Sequence, residues 1–155
     1  MESSGNKQKS GGRSGSVGLG ILFLIAFIVA MVILFTDKNL QTDFGSTGKY
    51  YIHWYGMLVM AIVSIVAAII LFARSTRGLV LAGSIGAILL ALFMVADIAL
   101  YSMVGFSSPG DFATYLFGVT KYPSVMSYIP GLYDVLFAVY IIGSAVGFYS
   151  SSRMK

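Results

Sequence analysis

Few side chains in this 155-residue sequence could do chemistry, and they gather at one level of the chain. Asp97 lies in LFMVADIALYS and Asp134 in PGLYDVLFAVY, each an acidic residue inside an apolar run. A carboxylate in such a run is costly in lipid and is retained for a purpose. His53 is the one histidine, and Tyr101 stands four residues after Asp97, on the same face of a helix. Asp97 lies about 28 Å of helical rise from Gly78, and Asp134 about 8 Å from Ile129. His53, Asp97, Tyr101 and Asp134 therefore converge on one end, with Tyr51, Tyr55 and Tyr133 nearby.

Three chemistries suit that cluster. The aspartates could be structural, bonding a tyrosine hydroxyl, water or a neighbouring helix. They could carry protons or ions across part of a membrane. One histidine and two carboxylates could also hold a divalent ion, although no local ligand spacing supports a metal site. A pocket for a quinone, a lipid or another ligand is a further use of the same end. His53 reads first as an interfacial residue among tyrosines. No cofactor is expected.

Absences narrow the function more than any motif. The chain has no cysteine, which excludes disulfides, thiolate metal sites, iron–sulfur clusters and cysteine nucleophiles within it. A single histidine rules out bis-histidine haem ligation by this chain alone. The glycines of VGLG and GSIG follow no strand, so they make no nucleotide fingerprint. No G-x-S-x-G, H-E-x-x-H or P-loop is present.

The elements that must position the cluster are four long apolar stretches, about 17–36, 52–73, 78–105 and 129–149. Each suffices to cross a hydrocarbon core about 30 Å thick. Charged residues make up only 10% of the chain, against about 25% in an ordinary soluble domain. With a mean hydropathy of +0.87, a water-soluble fold would expose large apolar patches. The expected fold is an all-α integral membrane protein, a four-helix up-down bundle. A barrel would need short alternating segments, which are not visible.

Residues 1–16 read as a flexible, basic Gly/Ser tail, 17–149 as the membrane domain and 150–155 as a short basic C-terminal tail. The first apolar run is too long for an ordinary signal peptide and lacks a cleavage site, so an uncleaved helix is expected. Lys7, Lys9, Arg13, Arg74, Arg77, Arg153 and Lys155 fall on one side, and Lys38, Lys49 and Lys121 on the other. The positive-inside rule then places both termini in the cytoplasm. Basic residues at the ends of apolar runs, without interleaved aromatics, argue against nucleic acid as a partner. In the second outer loop, SSPGDFATYLFG suggests a short interfacial helix.

Small residues recur at helix-packing spacing: Gly83 and Ala87 in the third stretch, Gly143 and Gly147 in the fourth, and Ser64 and Ala68 in the second. They serve either packing inside the bundle or an interface with a partner. Membrane lipid, other membrane subunits or further copies of the chain are the expected partners, and a multi-pass protein of the cell membrane the expected location. The functional expectation is a small non-catalytic subunit of a larger membrane complex, such as a respiratory or other oxidoreductase assembly. The alternative is a small oligomeric proton- or ion-coupled transporter or channel using Asp97 and Asp134. A membrane enzyme would need His53 paired with Asp97, without any recognised motif to support it.

Overall fold

A computed structural model describes residues 4–36, 51–105 and 131–154, with side chains from 13–36, 54–96 and 131–154. Four helices make up these residues: α1 (Ser4–Thr36), α2 (Tyr51–Ala73), α3 (Arg77–Gly105) and α4 (Leu132–Arg153). Each contains a stretch long and apolar enough to cross a membrane, beginning at Arg13, Trp54, Arg77 and Leu132. Among the described residues the protein is all-helical, and its four apolar helices are compatible with multi-pass membrane residence. The short helix expected in the second outer loop lies outside the described residues.

Neighbouring helices run antiparallel. Along α1, Gly15 approaches Ser150, Leu19 approaches Gly143 and Gly147, and Phe23 approaches Tyr140. Ser16 and Gly20 meet Leu71 and Phe72 near the end of α2. Helix α1 packs most heavily against α2 and α4, and α4 also packs against α3. Helices α2 and α3 touch less, although only residues 74–76 join them.

Small residues line the inward faces beside larger apolar side chains such as Leu19, Phe23, Met57, Met60 and Leu136. The inward faces carry Ala26, Ala30, Ala61, Ala68, Ala87 and Ala91, with Ser16, Ser64, Ser84 and Ser144, all buried. The outward faces carry Ile28, Ile62, Ile69, Leu89, Leu92 and Ile142, each more than half exposed. Lipid tails are as apolar as leucine, so burying large aliphatics gives helices no reason to associate there. Close backbone approach through small residues, with the dispersion and hydrogen bonds it permits, takes over.

Gly147 shows how tight the approach is. A Cβ there would collide with the Ser84 hydroxyl of α3 and lie 3.0 Å from Leu19 Cδ2 of α1. At Gly15 a Cβ would come within 2.5 Å of Ser150 Cβ. The Ser84 hydroxyl donates to its own helix at Val80 O (2.7 Å), so it adds a polar group to this contact without leaving it unsatisfied.

The helices extend beyond the stretches read from sequence. Helix α1 begins at Ser4 rather than near Val17, and Gly15 and Ser16 are buried, although the segment 1–16 reads as a tail. The physical reason is that Gly and Ser mark a linker in water but make a slim packing surface beside other helices. Ser16 Oγ donates to Leu71 O (2.6 Å) and lies 3.2 Å from Arg74 O, satisfying carbonyls at the end of α2. Helix α4 likewise runs to Arg153, with Ser151 buried, past the expected end at Tyr149.

Gly147→Ala should therefore destabilise the bundle by about 1–3 kcal/mol through overpacking. Thermal unfolding in mild detergent is the measurement, and Ser84→Gly in the same chain should recover part of the loss. Gly18→Ala, where a Cβ meets nothing within 4 Å, should be close to neutral. Equal melting of Gly147→Ala and the unsubstituted chain would contradict this packing.

Candidate functional site

Asp134 is the residue of the expected polar cluster whose side chain is described. It sits in the first turn of α4, where Gly131 is the N-cap in an extended conformation (φ −66°, ψ 165°). Its carboxylate Oδ2 accepts a hydrogen bond from Gly131 N at 3.0 Å. That is the reach-back half of a capping box, in which a side chain of the third helical residue satisfies the backbone N–H of the cap. Negative charge at this position also complements the positive end of the helix dipole. The carboxylate is half-buried.

His53, Asp97 and Tyr101 lie on helical backbone, His53 in α2 and the other two in α3. Their side chains are outside the described set, so the meeting of these groups with Asp134 stays a sequence expectation. Among the described residues no group of three His, Cys, Asp or Glu side chains comes together. Gly143, Gly147 and Ala87 are buried within the bundle, and Gly83 is half-buried against Leu19 and Leu71.

A polar contact that the sequence reading missed lies deeper. The hydroxyls of Ser64 and Tyr140 share one hydrogen bond of 2.8 Å, fully enclosed. Ser64 stands at the middle of the Trp54–Ala73 span, and Tyr140 near the middle of Leu132–Arg153. Helices α2 and α4 lie across the bundle from each other, so this pair is a diagonal brace at mid-depth. Tyr140 is 1% exposed, and its ring packs against Phe23 of α1 at 6.5 Å between centroids. The sequence treated Ser64 as a small packing residue and did not single out Tyr140. The available signal was depth: a tyrosine far from either interface cannot place its hydroxyl in water, and needs a partner inside.

The opposite end has a different character. Arg13, Arg74, Arg77 and Arg153 are exposed there, and Arg153 lies over the Tyr149 ring at 4.2 Å. The described spans carry no ionisable side chain between these arginines and the level of Asp134, apart from the phenols of Tyr140 and Tyr149. The arrangement brings together one internal hydroxyl pair, one helix-capping carboxylate and one basic end.

Ser64→Ala and Tyr140→Phe should each lower stability, and the double mutant should lose less than the sum. The expected coupling is about 0.6–1.7 kcal/mol, the range seen for hydrogen bonds between membrane helices. Denaturation of all four variants in one detergent gives the cycle, and strict additivity would show that the hydroxyls do not interact. Asp134→Ala should cost about 0.5–2 kcal/mol and speed amide exchange at the start of α4, whereas Asp134→Asn, which still offers an acceptor, should cost less. Unchanged exchange in Asp134→Ala would remove the capping role.

Comparison with known proteins finds no matching family model, no matching curated protein and no matching solved structure.

Proposed function

We propose that this chain is a small non-catalytic subunit of a larger complex in the cell membrane, contributing helix packing and outer-face contacts. A respiratory or other oxidoreductase assembly is the class of host in view. The observation that carries the reading is the character of the described interior. Alanine, glycine, serine and larger apolar side chains such as Leu19, Phe23, Met57 and Leu136 fill it, and the Ser64–Tyr140 pair is a polar contact across it. Such an interior supports a rigid helical unit. It offers no line of exchangeable charges along which an ion could step.

In this proposal the basic end, with both termini and the 74–77 turn, faces the cytoplasm, as the distribution of lysine and arginine favours. The two longer loops, the second bearing the interfacial helix, face outward and meet the partner subunits. The runner-up, an oligomeric ion-coupled transporter, requires Asp97 and Asp134 as carriers. The hydrogen bond from Gly131 to Asp134 supports a structural use of that carboxylate instead.

Extraction of native membranes in mild detergent, followed by native gel separation and mass spectrometry, tests the proposal. Stoichiometric co-migration with larger catalytic or coloured subunits is the expected result. A colourless homo-oligomer without other proteins, together with ion flux in liposomes that Asp97→Asn or Asp134→Asn abolishes, would overturn it in favour of transport.

A further inference from the structure

The loose seam between α2 and α3 holds an apolar cavity of about 180 Å³. Ala67 and Leu71 of α2, and Leu79, Gly83 and Gly86 of α3, form its walls, and Phe23 of α1 forms its floor. Its rim residues Val63 and Ile70 are exposed, so the cavity is a groove open to the surface of the bundle. The groove starts one helical turn from the link between the helices, since Leu71 precedes Arg74 by three residues and Leu79 follows Arg77 by two. Both arginines are exposed. No aspartate or glutamate is present among the described residues at this end; Asp134, the described carboxylate, lies at the other. An apolar slot thus runs directly away from a pair of exposed guanidinium groups.

The dimensions select the occupant. From Leu79 to Leu90 the groove follows about 16 Å of helical rise, roughly half of a hydrocarbon core about 30 Å thick. A transmembrane helix of a partner would need contact through both leaflets and a trough to fit a cylinder about 10 Å across. A single acyl chain needs one leaflet and a slim slot. We propose that the α2–α3 groove and the Arg74–Arg77 turn form one binding site for an anionic phospholipid. An acyl chain lies in the groove, and the phosphate meets the two guanidinium groups. Arginine suits the phosphate because its planar fork presents paired donors. A basic pocket between helices at the headgroup level is the arrangement that anionic lipid requires. The site is independent of whether the chain has protein partners.

Native mass spectrometry of the full chain decides the matter, in micelles doped with equal amounts of phosphatidylglycerol and phosphatidylcholine of matched acyl chains. One phosphatidylglycerol should be retained per chain, preferred over phosphatidylcholine by about ten- to thirty-fold, the worth of two cationic side chains at a headgroup. Arg74→Gln with Arg77→Gln should bring the preference near parity, while Arg13→Gln with Arg153→Gln, an equal loss of charge, should leave it largely intact. Gly86→Leu should expel the lipid by filling the groove, because a Cβ at Gly86 meets nothing within 4 Å, and should not lower the melting temperature. Gly18→Leu, equally open but on α1, is the control and should keep the lipid. Equal retention of both lipids, equal loss in the two arginine pairs, or full retention in Gly86→Leu would overturn the proposal. So would a dimer that Gly86→Leu dissociates, which would assign the groove to a second copy.

Discussion

The weak drive for helices to associate in an apolar solvent is the constraint on which the rest of this structure depends. In water, large aliphatic side chains turn inward and bring elements together. Here Ile28, Ile62, Leu89 and Ile142 turn outward, while Ala26, Ala61, Ala87 and Gly147 turn inward beside Leu19, Phe23, Met60 and Leu136. The apolar outer surface follows when lipid, not water, lies outside. Binding then depends on how closely backbones approach, and each inward methyl group matters. The contact of Gly147 with Ser84 and the seat of Leu19 between α3 and α4 express the same constraint at one level of the bundle.

That constraint also shapes what the interior can do. Small residues leave little room for water, so a polar group inside must find a partner in the protein. Serines near the helix ends and along the helices mostly bond backward to their own carbonyls, as Ser84 does to Val80 and Ser151 to Phe148. Ser64 bonds across the bundle instead, and the phenol it meets lends the diagonal a fixed register. Ser16 performs a similar service at the basic end, tying α1 to the last carbonyls of α2. The groove opens at the seam between α2 and α3.

The helices were legible in the sequence because twenty or more apolar residues in a row have few other fates in a chain this poor in charge. The link at RSTR, between α2 and α3, falls where arginines end an apolar run. The N-terminal segment misled because Gly15 and Ser16 carry the same composition in a linker and in a packing face; only the neighbours distinguish them. Asp134 was legible as a conspicuous residue but not as a cap, since its partner is a backbone N–H three residues away, a contact that composition does not reveal. Tyr140 was overlooked for the converse reason. A tyrosine within an apolar run looks like core until its depth is measured against both ends of the helix.

The most direct test of this packing is an oxygen-accessibility scan along α2 in liposomes. Single nitroxide labels can be placed on the chain without removing any native cysteine. The account predicts low accessibility at Met60, Ala61, Ser64, Ala68 and Leu71, and high accessibility at Val59, Ile62, Val66, Ile69 and Phe72, repeating with the helical period. High accessibility at Ala61, Ser64 and Ala68, with protection at Ile62 and Ile69, would turn the opposite face of α2 inward and contradict the account.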